Sequence, residues 1–550
     1  MTDQRKKQEA LGKASLILAS GTVVSRLLGF ASAVILARTL GTVGAGADTF
    51  ALANQLPNSI YAIVAGGVLS AILVPHIVKA GTDSDNGQGF VNKIVTLGFV
   101  IFVSVAALAT VCAPGLVALY AQSGEGGERG LSTAEISLAV GFAYWCLPQI
   151  LFYALYSLFS EILNARGVFG PFTWAPALNN MVAITGLVIF NYIFSGQGVE
   201  QAESWTPNMI MLIAGIATLG VASQALVLLL FWRKAKLGYR PDFRWWGTGL
   251  GKAGKAVSWM FGMILVAQVA GIVQANVASL AAGGDTPSLA ILRFSWLVFM
   301  LPHSVVAVSL ATAYFTRMST NARDGKFSMV VLDFRDSVSR IGFFMVLAQI
   351  GLVVLALPFS RQFGGAPEQM RAMATVVILY GLGLVIFSVF FVVQRVFYSL
   401  EDTKTPFLLQ VVHSSVFISL ALVSTTLETK NIAYGLALSA SVSGLVQVIL
   451  ALGALRRRLG KLGLRKLAVR YLRFYFAALP TALVGVGLLI GFGGPNGQDL
   501  LESTSLSSAL VMVIITICMT IVYLGILLVL RDTRALELTR ALRRQSKPAR

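Results

Sequence analysis

Two stretches of the sequence share one pattern: Leu-Pro-Asn-Ser-Ile-Tyr-Ala-Ile at 56–63 and Leu-Pro-His-Ser-Val-Val-Ala-Val at 301–308, which are 245 positions apart. A weaker match pairs Pro171 with Pro406, each followed by Phe. Both pairs lie in long apolar runs, and the second member of each pair lies six runs after the first. The pattern predicts a duplicated unit of six helices, as in transporters whose substrate site lies between repeated halves.

The composition requires a membrane environment. Of 550 residues, 56% are hydrophobic and 12% are charged, with a mean hydropathy of +0.77. A soluble globular protein carries about 25% charged residues. The composition therefore excludes a cytosolic enzyme, a disordered chain and a secreted disulfide scaffold.

Fourteen apolar runs of about 20 residues each fit membrane-spanning helices, and none alternates as a strand would. We expect an all-α polytopic membrane protein with two pseudo-twofold-related six-helix lobes and two further C-terminal helices. The predicted boundaries are 1–233 for the N-lobe (spans 1–6), 234–255 for a cytoplasmic interfacial linker, 256–456 for the C-lobe (spans 7–12), 457–473 for a basic cytoplasmic linker, 474–531 for spans 13 and 14, and 532–550 for a basic cytoplasmic tail.

The distribution of positive charge predicts the orientation. Most of the 43 Lys and Arg residues lie at the termini and in alternate connections on the same side. Such an excess marks the cytoplasmic side, so both termini are predicted to be cytoplasmic. Because the basic clusters flank helix ends, we interpret the net charge of +19 as contact with lipid headgroups and exclude nucleic acid as a partner. The stretch 243–259 is predicted to lie along the membrane surface.

Arg26 lies near the middle of span 1, where a charge is expensive. It should therefore face a watery cavity, with a structural ion pair as the alternative. Since the planar guanidinium suits phosphate, an anionic, phosphorylated substrate is indicated. Gly21, Ser25, Gly29 and Ser32 form one stripe of small residues on the same helix. We interpret the stripe as close helix packing, the alternative being room for a bulky substrate beside Arg26.

Further polar groups at membrane depth could line the cavity, although such groups often only hydrogen-bond a neighbouring helix. The predicted cavity set is Ser25, Arg26 and Ser32 of span 1, Asn58 and Tyr61 of span 2, and Gln268, Gln274 and Asn276 of span 7.

Asp48 and Arg293 occupy equivalent positions in the two repeats, near the external ends of spans 2 and 8, with opposite charges. We predict that they approach each other and close an outer gate. The alternative is that each side chain only contacts lipid headgroups.

Catalytic and metal-binding patterns are not found in the sequence, and neither a cofactor nor a metal is expected. Cys112, Cys146 and Cys518 are scattered singly, as are the three histidines. The adjacent acidic residues Glu401 and Asp402 indicate a turn and helix start, not a general acid–base pair.

Several segments together resemble the MurJ (MviN) family of lipid II flippases, within the MOP exporter superfamily. These segments are 25–30, 47–50, 56–58, 162–165, Phe172, 175–176 and Asn179 in the first half, and 397–399, Asp402 and 404–406 in the second. The sequence departs from the family pattern at Ser32-Ala33, Tyr61 and Leu297, where the family often carries charged residues.

The resemblance implies a flippase, not an enzyme. It would move an undecaprenyl-diphosphate-linked peptidoglycan precursor from the inner to the outer leaflet by alternating access. Helices 13 and 14 would form a groove for the lipid tail, and Arg26 and Asp48 match family residues of spans 1 and 2. The expected partners are membrane lipid, the lipid-linked precursor and, as candidates, cell-wall synthesis proteins in the bacterial inner membrane. Coupling to an ion or to the membrane potential stays open. The alternative is a flippase for another lipid-linked oligosaccharide or a cation-coupled drug exporter of the same superfamily.

Overall fold

A computed structural model describes residues 2–65, 87–124, 129–235, 237–244, 254–494 and 497–545. The contacts divide the chain into two compact units, 1–290 and 291–550. The second half of predicted span 2 and most of the predicted interfacial stretch lie outside the described residues. Of that stretch, Arg244 donates to Asp242 at 3.1 Å, which lowers the pKa of this carboxyl group.

The first unit consists of helices that follow the predicted apolar runs. They are α1 (Thr2–Leu40), α2 (Ala45–Ala65), α3 (Gln88–Val111), α4 (Ala113–Tyr120), α5 (Thr133–Cys146), α6 (Gln149–Ala165), α7 (Phe169–Ile193), α8 (Pro207–Leu226) and α9 (Gly254–Ser279). Within this unit α7 packs between α1 and α8, and α2 packs against α5, α6 and α9.

The remaining helices lie in the second unit, except that α10 begins at the last residues of the first. They are α10 (Leu289–Pro302), α11 (Val308–Arg323), α12 (Phe327–Val354), α13 (Ala356–Phe363), α14 (Pro367–Leu382), α15 (Leu384–Ser399), α16 (Lys404–Ser424), α17 (Ile432–Leu459), α18 (Leu464–Gly493), α19 (Gln498–Glu502), α20 (Ser505–Val529) and α21 (Thr533–Gln545). A π-helical turn, His303–Ala307, connects α10 to α11. It directly follows Pro302, whose ring removes one backbone donor from the helix.

Within the described residues, twelve helices are long and apolar enough to cross a membrane, and the bent pair α14–α15 makes a thirteenth. Helix α2 corresponds to predicted span 2. The all-helical, many-span fold is therefore confirmed. Helix α9, assigned by the sequence to the C-lobe, groups with the first unit by its contacts with α2 and α4. The predicted lobe boundaries otherwise stay a prediction.

Two predicted polar segments are more helical than expected. Helix α18 begins at Leu464, so the expected linker 457–473 shortens to residues 460–463 between α17 and α18. Likewise, residues 533–545 of the expected tail form helix α21. The reason is that Lys and Arg mark where a helix leaves the hydrocarbon, not where it ends, because their long side chains reach polar surroundings.

Hydrogen bonds to Asp402 explain why α16 begins at Lys404. The Asp402 carboxylate accepts hydrogen bonds from the Thr405 N–H at 2.9 Å and from the Thr405 hydroxyl at 2.8 Å. It also accepts one from Arg458 of α17 at 2.6 Å. Glu401 before it has φ 56°, a turn conformation. The interpretation of Glu401 and Asp402 as a turn and helix start is confirmed.

The 41° bend between α14 and α15 lies at Gly383. A Cβ at this position would come within 2.8 Å of the Ser441 hydroxyl of α17. The carbonyl oxygens near the bend accept side-chain hydrogen bonds: Leu379 from Ser441 at 2.7 Å, and Gly381 and Leu382 from Gln349 of α12 at 2.9 and 2.8 Å. Neighbouring helices thus satisfy the backbone at the bend.

Candidate functional site

The stripe of small residues on α1 faces α7. Asn180 of α7 donates to the Ser25 carbonyl oxygen at 2.9 Å, and a Cβ at Gly29 would lie 3.4 Å from the Asn180 amide nitrogen. A Cβ at Gly21 would lie 2.8 Å from the methyl group of Thr173. These contacts confirm the interpretation of close helix packing for this part of the stripe. Ser32 is half-buried.

Arg26 lies on another face of the same helix. The side chain is exposed on the first unit, beside the exposed Leu27. No carboxylate of the described residues lies within 4 Å of its guanidinium, so the structure gives it no ion pair there. Arg26 is therefore a cation within a membrane span that no described carboxylate of its own unit neutralises.

The predicted residues of span 2 lie on α2. Asn58 is exposed, and Tyr61 is half-buried with its ring 5.9 Å from that of Tyr153 on α6. Tyr61 thus fills a position between α2 and α6.

The predicted residues of α9 differ in their surroundings. The Asn276 amide is fully used: its oxygen accepts from Gln122 at 2.8 Å, and its nitrogen donates to the carbonyl oxygens of Leu119 and Ile272 at 2.5 and 3.3 Å. These bonds attach α9 to the end of α4, which is the alternative stated for such residues. Gln268 and Gln274 are half-buried.

The predicted cavity residues are not brought together by direct contacts. Within the described part of the chain, no hydrogen bond, ion pair or ring contact joins two of them. Their role in binding stays a prediction.

Asp48 is fully buried in the first turn of α2. Its Oδ1 atom accepts a hydrogen bond from the Ala290 N–H at 2.9 Å, in the first turn of α10. The second oxygen, Oδ2, has no hydrogen-bond partner among the described residues. Glu135 of α5, also buried, contributes a second carboxylate nearby. Asp48 therefore connects α2 to the start of α10 within the first unit.

Arg293 is exposed on α10, and its predicted pairing with Asp48 stays a prediction. Farther along, His303 in the π-helical turn is buried. Its Nδ1 atom lies 3.0 Å from the Ser388 hydroxyl of α15, and its ring packs against Phe387 and Phe391 with centroids 4.6 and 5.3 Å apart. The contacts are those of a structural histidine.

The sequence prediction omits one intramembrane cation, Arg395 of α15. Its guanidinium lies over two rings, 5.4 Å from the centroid of Phe315 on α11 and 4.8 Å from that of Phe391. The Nε atom is buried without a hydrogen-bond partner in the described structure. The available signal was the charge itself, because Arg395 lies inside an apolar run.

Among the described residues, no group of three or more His, Cys, Asp or Glu side chains could hold a metal ion. Cys112 is exposed, Cys146 is buried and Cys518 is half-buried, and none of the three forms a disulfide with another described cysteine.

Solved structures of transporters share this fold. The chain superimposes on "Lipid II flippase MurJ, inward closed conformation" with a TM-score of 0.68 at 19% identity, covering 93% of this chain and 100% of that one. It also resembles a multidrug resistance MATE family transporter of the MOP superfamily in an inward-facing conformation, with a TM-score of 0.55 at 15% identity, covering 82% and 95%. At these identities the likeness concerns the fold.

Relatives are similar over most of their length. The chain is 26% identical to "Probable lipid II flippase MurJ" of Thermotoga maritima over 435 residues, 78% of this chain and 82% of the relative. It is 25% identical to the protein of the same name from Bdellovibrio bacteriovorus over 551 residues, 98% and 97% of the two chains. The sequence model of the family described as "Lipid II flippase MurJ" matches residues 36–493. Since this match covers far more than half of an all-helical, multi-pass membrane chain, the protein belongs to the MurJ family.

Proposed function

We propose that this protein is a lipid II flippase. It carries the undecaprenyl-diphosphate-linked peptidoglycan precursor from the inner to the outer leaflet of the bacterial inner membrane. Family membership over residues 36–493 and the names of the relatives support the substrate. Transport, not a chemical reaction, is the function that this family membership favours.

The observation that carries the proposal is the exposure of the Arg26 guanidinium within a membrane span. A guanidinium within a span is expensive unless water or an anion accompanies it. In its own unit Arg26 is exposed and has no carboxylate within 4 Å among the described residues. A diphosphate supplies both the negative charge and the paired oxygens that a guanidinium binds.

The proposed cycle is alternating access. The diphosphate enters from the predicted cytoplasmic side, where the basic connections lie, and binds near Arg26. The lipid tail stays in the membrane beside α18 and α20, the predicted spans 13 and 14. The protein then opens outward and releases the headgroup. Moving one charge through the membrane potential supplies about 2.3 kcal/mol per 100 mV, enough to bias such a cycle. Cell-wall synthesis enzymes that make and use the precursor are candidate partners.

The test is depletion of the protein in its host, with a leaflet-specific assay of lipid II. We expect lipid II to accumulate in the cytoplasmic leaflet, and re-expression to reverse this. Unchanged lipid II distribution together with accumulation of another lipid-linked sugar would overturn the proposal.

Arg26→Ala should abolish rescue at normal membrane abundance, because the diphosphate loses its cation. Arg323→Gln is the matched control, since Arg323 is exposed at the end of α11 and makes only a 3.8 Å contact with Asp324. Growth supported by Arg26→Ala would show that this arginine does not carry the substrate.

A further inference from the structure

Arg395 lies about one turn before the end of α15, four residues before the helix ends at Ser399. This position is about 6 Å from the helix end, still within a predicted span. The connection that follows is one of those predicted to be cytoplasmic. The charge is therefore placed in the half of the span near the compartment where the precursor is made.

The surroundings of the guanidinium are apolar on two sides. Phe315 of α11 and Phe391 of α15 lie at 5.4 and 4.8 Å from its carbon atom, both partly exposed. Rings at these distances attract the cation but provide no hydrogen-bond acceptor. They contact the cation without using its N–H groups.

No nitrogen of Arg395 has an acceptor among the described residues. The Nε atom is buried without a partner, whereas neither terminal nitrogen is both buried and unpartnered. The two terminal nitrogens are therefore not fully buried. Other arginines of the second unit have carboxylate partners: Arg317 with Asp333 at 2.7 Å and Arg458 with Asp402 at 2.6 Å.

We propose that Arg395 is a phosphate-binding residue of the second unit, at the contact between α11 and α15. The inference rests on the proposed function and adds a residue of α15 to the proposed binding site. The terminal nitrogens offer the two parallel donors that phosphate oxygens accept, and the flanking rings do not use these donors. The ligand is the phosphate group of a polyprenyl-linked headgroup, bound at the cytoplasmic half of the span before crossing.

The experiment measures binding to the purified full-length protein in nanodiscs of phosphatidylcholine. The probes are undecaprenyl pyrophosphate, undecaprenyl phosphate, undecaprenol and inorganic pyrophosphate. We expect Arg395→Gln to weaken undecaprenyl pyrophosphate binding about tenfold, with undecaprenol binding unchanged. Competition by inorganic pyrophosphate as strong as by the lipid would assign the site to the free anion; weaker competition assigns it to the lipid headgroup.

The controls separate binding from structure. Arg323→Gln removes one charge on the same predicted side and should leave the affinity unchanged. Phe315→Leu removes one ring but keeps the guanidinium. If Arg395 were purely structural, Arg395→Gln and Phe315→Leu would both lower the melting temperature, and both would still bind undecaprenyl pyrophosphate better than undecaprenyl phosphate. That result overturns the inference.

If Arg395→Gln does not fold, Arg395→Lys decides. It keeps the charge over the rings and loses the paired donors, so the preference for pyrophosphate over phosphate should fall about threefold. An unchanged preference overturns the inference. Wild-type protein that binds none of the phosphorylated lipids better than undecaprenol would instead contradict the proposed function itself.

Discussion

At the scale of single residues, Asp402 shows how one carboxylate can serve two elements. It accepts hydrogen bonds from the N–H and the hydroxyl of Thr405 in the first turn of α16, and a charged one from Arg458 at the end of α17. Its side chain is only 8% exposed, so water replaces these bonds poorly. The turn between α15 and α16 therefore depends on this residue.

Asp402→Ala should lower the free energy of unfolding by about 2 kcal/mol, because both the helix cap and the charged bond are lost. Asp402→Asn keeps an acceptor for the Thr405 N–H and should cost less. Thermal melting of the purified protein in detergent measures both. Glu401→Asn is the control, since φ 56° suits asparagine and stability should not fall. Equal losses in Asp402→Ala and Asp402→Asn would show that the bond to Arg458, not the cap, matters.

At the scale of helices, the two C-terminal spans are packed firmly into the second unit. Helix α18 contacts α12 and α20, and α20 also contacts α13. The buried residues Val354, Leu355, Ile515 and Met519 form the core of this contact. Gly485 of α18 faces that core, and Gly487 one half-turn away faces open space. The glycines on one helix thus have different environments.

Gly485→Val should lower the free energy of unfolding by about 1–3 kcal/mol, because even a Cβ would lie 2.7 Å from the Met519 sulfur atom. Gly487→Val is the matched control, since nothing lies within 4 Å of a Cβ there. Melting temperatures of the two variants give the comparison. Similar losses at both positions would indicate an effect of helix propensity and not of packing.

At the scale of the whole molecule, the charge pattern predicts which connections face the cytoplasm. Gln197, between α7 and α8, is exposed in a connection predicted to be external. Lys461, between α17 and α18, is exposed in one predicted to be cytoplasmic. The two positions should therefore differ in access from outside the cell.

In a background without Cys112, Cys146 and Cys518, Gln197→Cys should react with a membrane-impermeant maleimide on intact spheroplasts. Lys461→Cys should react only after the membrane is opened. Labelling of both positions after permeabilisation controls for thiol accessibility. The reverse pattern would place the termini on the external side.

The sequence predicted the helical fold well, because lipid forces every backbone polar group to be satisfied within a span and so leaves a readable apolar run. It also identified Arg26 as a charge inside a span, because a charged residue stands out within an apolar run. It could not predict that Asn276 is bound to the end of α4, or that Arg395 lies between two rings, since those contacts join residues far apart in sequence. Nor could it predict that α18 already begins at Leu464, because Arg465 and Lys466 lie in its first turn and leave no apolar run there.

The bend at Gly383 has a consequence for biosynthesis. The carbonyl oxygens near the bend accept hydrogen bonds from Gln349 of the earlier helix α12 and from Ser441 of the later helix α17. A carbonyl oxygen without a hydrogen-bond donor is costly in hydrocarbon. The Leu379 carbonyl oxygen therefore lacks its donor until α17 has been synthesised. Release of this kinked segment from the translocon should therefore wait until the ribosome has finished α17. The helices α14 to α17 would then enter the membrane together, late in synthesis.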